Sequence, residues 1–269
     1  MSKGRIFLVK ISGYIITKNN EQSLQWALES VYKQLDEIII VDSGSTDRTL
    51  EIASQYTDKI YINEFKDFAD QRNNAIRRCS GDWIFTMDAD EVMGENFPQL
   101  FNFLNNKCST ILVPRYNLVS LDPLAFILKP HYSDWQARIF RNSEEIHYDS
   151  KHKVHHQLLN GRPRFKLPFV NIFHLHWLMY GYLDRKKRVE QYEKIDADSG
   201  FPRYYLYEDY PHVIAKTFEK IAPNIMTLLK QDKDMKDYNH SISPVVQFKY
   251  GAEYYSKKTL AHLRNFLDI

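Results

Sequence analysis

A short acidic motif, Asp88-Ala89-Asp90-Glu91, directly follows an apolar run that starts at Trp83. Strand alternation would place Asp88 and Asp90 on one side, at the carboxyl end of the strand, where open α/β sheets bind ligands. Closely spaced carboxylates repel one another unless a cation lies among them, and Mg²⁺ or Mn²⁺ suits such oxygens. The motif therefore indicates a divalent metal site. A solvated acidic turn is the alternative, because such triplets are common by chance.

Two earlier predicted strands also end in polar residues. An apolar run ends at Asp42, whose carboxylate can accept hydrogen bonds from an imide or a ribose. Ser43 and Gly44 follow it, and small residues let a ligand approach the backbone. Another apolar run ends at Thr17, before a polar stretch that reaches Glu21. Because the carboxyl ends of parallel strands meet at one edge, we expect a single crevice there. A plain helix cap is the alternative for the Ser43-Gly44 loop.

Strands and helices that would position these residues alternate along the first hundred residues. Short apolar runs predict four buried strands, and spacings of three and four predict the helices between them. This order is typical of an α/β fold with a Rossmann-like, mostly parallel central sheet flanked by helices. Ser45 or Thr46 is the expected cap of the second helix. Further strands are expected at 110–115, 137–141 and 169–174, and helices at 213–229 and 254–266.

The composition excludes several classes of protein. The 269 residues are 43% hydrophobic and 26% charged, which rules out disorder, collagen and coiled coil. A net charge of +2 lacks the basic excess of a nucleic-acid backbone binder. No apolar run approaches the ~20 residues of a transmembrane helix, and no signal peptide is evident, so we expect a cytoplasmic protein. Cys79 and Cys108 lack metal-type spacing and are expected to be reduced and buried.

Four segments together resemble glycosyltransferase family 2, whose members bind nucleotide-sugars on a GT-A fold. They are Ile15–Glu21, Glu37–Thr49, Phe68–Ala75 and Gly81–Glu91. The subgroup that the chain resembles most contains bacterial glucosyltransferases of the lipopolysaccharide core. The resemblance is strong over residues 11–95 and weaker to about 195. It implies a GT-A catalytic domain at 1–180, with a nucleotide-binding half at 1–95 and an acceptor half at 96–180, followed by a helical C-terminal region at 181–269.

The same resemblance implies roles for individual residues. The donor-binding residues would be Thr17, Asn19, Glu21, Asp42, Ser43, Gly44, Arg72 and Asp88. Within that set, Asp42 would pair with the uracil edge and Arg72 would approach the diphosphate. Asp90 would ligate Mn²⁺ or Mg²⁺, and Asp88 would reach the ribose or the metal. For Arg72, an arginine on a solvated helix face is the alternative.

The segment Asp134–Arg141 resembles one that lies downstream of the metal motif in the same subgroup. An inverting transfer needs a base that takes the proton of the acceptor hydroxyl. Asp134 is the first candidate for this base and Glu91 is the second. A strand-edge aspartate that caps a turn is the alternative for Asp134, and Arg138 is alternatively a structural partner of a carboxylate.

Seven of the ten histidines lie between residues 131 and 176. The run Val154-His155-His156 resembles a Val-His-Glu segment of the subgroup, so His155 is a candidate third metal ligand or phosphate contact. His174 and His176, on a predicted strand, would share one face, and zinc stays open there although the cysteine spacing of a zinc site is missing. The alternative for each is an ordinary buried histidine that is satisfied by hydrogen bonds.

Two further segments have two interpretations each. The basic run Arg185–Arg188 is either a solvated helix face, which we favour, or a contact for phosphate on an acceptor. The apolar stretch 123–130, bracketed by prolines, is either a buried segment, which we favour slightly, or a loop that touches an acceptor or a membrane. Peripheral membrane contact therefore stays open.

Taken together, the residues and the resemblance predict an enzyme. It would move a sugar from a nucleotide-sugar, most simply a UDP-sugar, to a hydroxyl acceptor, with a divalent metal and with inversion. The acceptor could be a glycan, a lipid-linked sugar, a protein or a modified nucleobase. The alternatives are a nucleotide-sugar or glycan-binding module without catalysis, and a sugar nucleotidyltransferase. The latter is weakened because the first strand lacks a glycine-rich phosphate loop.

Overall fold

The structure is a computed structural model that describes residues 9–104, 108–121, 124–128, 134–151, 158–195, 206, 213–216 and 220–231. These residues form two compact units. Unit 1 draws its residues from 1–89, 98–112 and 137–165, and unit 2 draws its residues from 90–97, 113–136 and 166–269.

The strands and helices, in chain order, have the following bounds. The strands are β1 Ile11–Thr17, β2 Glu37–Asp42, β3 Ile60–Ile62, β4 Trp83–Thr86, β5 Glu91–Met93, β6 Thr110–Leu121, β7 Leu124–Leu128, β8 Asp134–Arg141, β9 His147–Tyr148, β10 Leu158–Leu159, β11 Arg164–Lys166, β12 Ile172–His174 and β13 Val213–Lys216. The helices are α1 Leu24–Glu29, α2 Thr49–Ser54, α3 Phe68–Ile76, α4 His176–Met179, α5 Tyr182–Ile195 and α6 Pro223–Gln231. Short 3₁₀ helices lie at Tyr32–Gln34 and Phe97–Phe103.

Unit 1 is built on a sheet whose first four strands are parallel. β1 pairs with β2 on one side and with β4 on the other, and β3 pairs with β2. β8 then adds to β4 in the antiparallel sense. In this register Thr17 lies beside Asp42, so β1 and β2 end at the same edge. The predicted α/β class with a mostly parallel sheet is therefore confirmed.

One face of the unit 1 sheet packs against α3. Alternate residues of neighbouring strands, among them Tyr14, Ile39 and Ile84, form a buried cluster with Ala75 and Ile76 of the helix. Asp67 caps α3, because its side chain accepts a hydrogen bond from the backbone N–H of Asp70. This packing fixes the helix that carries Arg72.

A half-buried carboxylate ties together the amino ends of the unit 1 strands. Glu37, at the start of β2, accepts hydrogen bonds from the hydroxyl of Ser12, from the backbone N–H of Ser80 at 2.7 Å and from its hydroxyl at 2.8 Å. It also forms an ion pair with Lys59. Burial alone would raise the pKa of Glu37, but these donors outweigh it and lower the pKa to about 2.

Unit 2 contains a mixed sheet. β12 pairs antiparallel with β5 and parallel with β6, β7 pairs antiparallel with β6, and β13 pairs antiparallel with β7. Ala125, Phe126 and Ile127 of β7 are buried, so the apolar stretch that we expected to be a buried segment is a strand of this sheet. Both cysteines are free and buried, as predicted.

Three expectations about local structure were wrong. The chain over 213–216 is a strand, and the helix starts only at Pro223, a residue that suits the first turn because it lacks an N–H. Neither Ser45 nor Thr46 caps α2, which starts at Thr49. The strand expected at 169–174 covers Ile172–His174 only. The helix predicted at 254–266 lies outside the described residues, and none of the described helices has the length and apolarity of a membrane span.

Candidate functional site

The loop after β2 is shaped by the carboxylate of Asp42, which is fully buried. Its Oδ1 accepts hydrogen bonds from the backbone N–H of Gly44 at 2.8 Å and of Ser45 at 2.7 Å, and its Oδ2 accepts one from the Ser45 hydroxyl. Gly44 has a φ of +86°, a conformation that favours glycine. Ser43 donates its backbone N–H to the Thr17 carbonyl at 2.9 Å. The predicted roles of these residues in donor binding stay predictions, but their positions at one sheet edge are as expected.

The loop after β1 interlocks with the loop after β2. Asn19 donates its backbone N–H to the Ser45 hydroxyl oxygen at 2.8 Å and accepts at Oδ1 from the backbone N–H of Thr46 at 2.9 Å. Its φ of +52° lies in the left-handed region, which asparagine tolerates better than most residues. Glu21 repeats the pattern, because it donates its N–H to Asp47 at 3.1 Å and accepts from the N–H of Arg48 at 3.1 Å.

These reciprocal bonds have one consequence for ligand binding. The predicted donor-binding residues of the first loop, Thr17, Asn19 and Glu21, hold the second loop in place by side-chain and backbone bonds. A loop that is already ordered loses less conformational entropy when a ligand binds. The paired loops therefore form a preorganised edge at the carboxyl ends of β1 and β2.

Asp88 lies between two arginines of unit 1. Its Oδ1 accepts from Nη2 of Arg72 at 2.8 Å, and its Oδ2 accepts from Nη2 of Arg138 at 3.2 Å. The Arg72 guanidinium also lies over the Tyr148 ring, 5.5 Å from its centre. Burial alone would lower the pKa of Arg72, but Asp88 raises it above its usual value. Guanidinium groups suit an anion such as a diphosphate.

Neither of these two arginines lies on a solvated surface. Arg72 does not lie on a solvated helix face, since 16% of its side chain is exposed. Arg138 is the partner of a carboxylate, as the second interpretation of this residue had it, and only 3% of the residue is exposed. Both oxygens of Asp88 are thus engaged by guanidinium groups, and a metal contact of Asp88 stays a prediction.

Asp90 lies among histidines of unit 2. Its Oδ2 is 3.2 Å from Nε2 of His174 and 3.7 Å from Nδ1 of His176, and all three residues are buried. Burial alone would raise the pKa of Asp90, but the two imidazoles hold it well below its usual range. The histidines do not share a strand as expected. β12 ends at His174, and His176 begins α4, which brings the two rings to 5.8 Å between centres.

The basic run on α5 faces partly inward. Arg185 is only 1% exposed and donates Nε to the Tyr180 carbonyl at 3.0 Å. Arg188 donates Nε to the Tyr192 hydroxyl at 3.0 Å and places Nη1 3.4 Å from Nδ1 of His176. Burial lowers the pKa of His176 to about 3, so this imidazole is neutral and can face a guanidinium. The solvated-face interpretation was therefore wrong for the two arginines. Their spacing of three, on a helix that also carries apolar Val189, was the signal.

A third cluster, also in unit 2, contains both candidate bases. Arg115 on β6 donates Nε and Nη2 to Oδ2 of Asp134, at 2.9 Å and 2.8 Å. Its Nη1 lies 3.2 Å from Oε1 of Glu91. The other oxygen of Asp134 accepts from Nε2 of Gln136 at 2.7 Å. Arg115 was not predicted from the sequence, because its partners lie 19 and 24 residues away.

Asp90 suits a divalent metal that takes most of its ligands from substrate and water rather than from the protein. Within the described ranges, no three Asp, Glu, His or Cys side chains form a preformed metal cage. Mg²⁺ is usually held by one or two carboxylates, with the remaining positions filled by phosphate oxygens and water. Asp90 is an ionised carboxylate next to imidazoles, a donor set that also suits Mn²⁺. His155, the other predicted ligand, lies outside the described residues.

Comparison with known proteins identifies the family. The glycosyl transferase family 2 profile matches residues 12–174, which include β1 to β12. The chain therefore belongs to glycosyl transferase family 2.

Individual relatives match shorter stretches. An uncharacterised glycosyltransferase of Rickettsia felis is 37% identical over 95 residues, 35% of this chain and 34% of the relative. The lipopolysaccharide core biosynthesis glycosyltransferase LpsC of Rhizobium meliloti is 35% identical over 95 residues, 34% of this chain and 35% of LpsC. The chain thus spans about a third of the length of these relatives. Among solved structures, residues 1–349 of S. aureus TarS give a TM-score of 0.47 at 16% identity, covering 74% of this chain and 70% of that one.

Proposed function

We propose that the protein transfers a sugar from a UDP-sugar to a hydroxyl group, with inversion at the sugar carbon. The observation that carries this proposal is the cluster in which Arg72 and Arg138 both hold Asp88. In a family that uses nucleotide-sugar donors, two guanidinium groups beside the residue that follows β4 suit the diphosphate, which must leave with its negative charge compensated. The proposed donor is therefore bound by unit 1.

The residues of unit 1 would divide the work. The ordered loops that contain Asn19 and Asp42 would receive the nucleoside, with the uracil edge at Asp42. Arg72 would contact the diphosphate. Its guanidinium group is held in position over the Tyr148 ring and beside Asp88. Arg138 would hold Asp88 in place while Arg72 contacts the donor.

The residues of unit 2 would supply the metal ligand and the base. Asp90 would hold Mn²⁺ or Mg²⁺, which when bound supplies Lewis-acid stabilisation of the departing diphosphate. Asp134 would accept the proton of the attacking hydroxyl. We further propose that the protein acts in the cytoplasm and on an acceptor of the lipopolysaccharide-core type. This acceptor is supported by the match to LpsC.

The test measures UDP release from a panel of UDP-sugars in the presence of Mn²⁺, and again after addition of EDTA. We expect release with at least one donor and its loss with EDTA. The variant Asp90→Asn should lower kcat by about 100-fold or more, because it removes a charged ligand without changing the shape of the side chain. The matched control is Asp36→Asn, which changes an aspartate outside the site.

Three results would contradict the proposal or a part of it. Tight binding of UDP-sugars without turnover on any acceptor would favour the binding-module alternative. Transfer of labelled pyrophosphate from solution into UTP, with release of sugar 1-phosphate from the UDP-sugar and without release of UDP, would favour the nucleotidyltransferase alternative. Full activity of Asp90→Asn would remove the metal role that we assign to Asp90.

A further inference from the structure

A single arginine of unit 2 contacts both carboxylates that are candidates for the catalytic base. Arg115 places two N–H groups on the same oxygen of Asp134, at 2.9 Å and 2.8 Å, and a third nitrogen 3.2 Å from Glu91. The guanidinium is planar and rigid, so its contact with one carboxylate restricts its position at the other. Arg115 therefore couples the orientation of Asp134 to that of Glu91.

The two carboxylates differ in access to substrate. The Glu91 side chain has 0% exposure, whereas 14% of the Asp134 side chain is exposed. A general base must come within hydrogen-bond reach of the proton that it removes. Asp134 is therefore the more accessible of the two to a substrate hydroxyl. A buried carboxylate is costly unless it is paired, and Arg115 is one of the charges that pair Glu91.

We propose that Arg115 is a positioning residue that is anchored by Glu91 and that orients Asp134 as the base. This inference rests on the proposed function. Oδ2 of Asp134 is held by two N–H groups of a cation, so the proton goes to Oδ1, which faces the neutral amide of Gln136.

The chemical step balances with this assignment. The acceptor O–H bond breaks and its proton moves to Oδ1 of Asp134. The acceptor oxygen forms a bond to the anomeric carbon of the sugar. The bond from that carbon to the phosphate oxygen breaks, and its electron pair leaves with UDP. Glu91 takes no proton in this step, and Arg115 acts on the reaction only through Asp134.

The experiment uses the full chain with Mn²⁺, the UDP-sugar that wild type turns over, and water as the acceptor. The variants are Asp134→Asn, Glu91→Gln, Arg115→Ala and Arg115→Lys. We expect kcat to fall about 100-fold or more in Asp134→Asn, the usual share of a general base, and about 10-fold or more in Arg115→Ala. The KM for the donor should stay unchanged in both, because neither side chain is assigned to the donor. Glu91→Gln should cost less than Asp134→Asn.

Two comparisons separate positioning from folding. Free guanidinium at millimolar concentration should restore part of the kcat of Arg115→Ala and none of that of Asp134→Asn. Arg115→Lys keeps the charge but cannot place two N–H groups in a fixed fork, so kcat should fall several-fold in a variant that folds. The control is Arg141→Ala, which removes a partly buried arginine that donates to the Cys108 carbonyl and should leave kcat unchanged.

The outcomes that overturn the inference differ from those that overturn the function. If wild type releases no UDP, the proposed function fails. If wild type is active and folded Arg115→Lys keeps full kcat, Arg115 does not position the base. If Glu91→Gln loses more kcat than Asp134→Asn, the base is Glu91 and the assignment is wrong. If kcat falls as much in Arg141→Ala as in Arg115→Ala, general destabilisation explains the effect of Arg115→Ala, and the positioning role is wrong.

Discussion

Replacing Glu37 with glutamine tests the carboxylate that ties together the amino ends of β1, β2 and β4. The substitution keeps the size of the side chain and removes its charge. In the folded protein the charge receives donors from Ser12 and Ser80 and an ion pair from Lys59, while only 9% of the side chain is exposed. Glutamine would also turn an acceptor oxygen into an NH₂ donor, which cannot accept from these groups.

The magnitude follows from the pKa of Glu37, which falls from an ordinary 4.5 to about 2 in the folded state. At about 1.4 kcal/mol per pKa unit, the ionised form contributes at most about 3.5 kcal/mol to the free energy of unfolding. Half-exposed Lys59 is partly screened, so roughly 2 kcal/mol is the expected loss in Glu37→Gln at pH 7. A carboxyl with a lowered folded-state pKa stabilises above its unfolded pKa. This stabilisation is lost as the pH falls from 4.5 through about 2.

The assay is urea unfolding of wild type and Glu37→Gln at pH 7 and at several pH values down to about 3. The difference in the free energy of unfolding should be largest at pH 7 and should shrink steadily below pH 4.5. Glu51→Gln is the matched control, because Glu51 pairs with Arg48 on an exposed part of α2 and should leave the urea midpoint unchanged. A difference that is absent at pH 7, or that does not vary with pH, would refute the reasoning.

Two further predictions concern substitutions in unit 1, and each has a matched control variant. Gly81→Ala should lower the free energy of unfolding in urea by about 2 kcal/mol or more, because its Cβ would lie 2.7 Å from the backbone nitrogen of Ser12. Gly44→Ala is the control: its Cβ would meet open space, so it should lower the free energy of unfolding by only about 1 kcal/mol, because of the positive φ. Equal losses of stability in the two variants would contradict this prediction. Ser45→Ala removes the hydroxyl that links Asp42 to Asn19, so the Kd for UDP should rise about 10-fold in calorimetry. Ser54→Ala, which loses only a local bond to Glu51, should leave that Kd unchanged.

The part of the fold that could be predicted from sequence is the part with local signals. Short apolar runs gave the order of β1 to β4, and the same runs placed Asp42 and Thr17 at one sheet edge. The strand at 213–216 was missed because a run of β-branched residues on helical spacing fits both a strand and a helix. Pairing with β7 decides between them, and that partner lies more than 80 residues earlier.

The site was predictable in residue types but not in partners. The acidic motif was singled out from the sequence, and in the structure its residues face different partners. Asp88 meets Arg72 and Arg138, and Asp90 meets His174 and His176. Arg115 had no local signal at all, since a lone arginine in a strand resembles any other. Its role depends on contacts that only the folded sheet brings together.

The path of the chain through unit 1 limits how the protein can be shortened. β8 covers the outer edge of β4, although Phe140 and Ile84, which lie side by side, are 56 residues apart in the chain. A fragment that stopped at residue 95 would bare the N–H and C=O groups along Trp83–Thr86, the kind of open strand edge that recruits other chains. Such a piece should precipitate during expression, whereas a version that retains residues 137–165 would keep that edge capped.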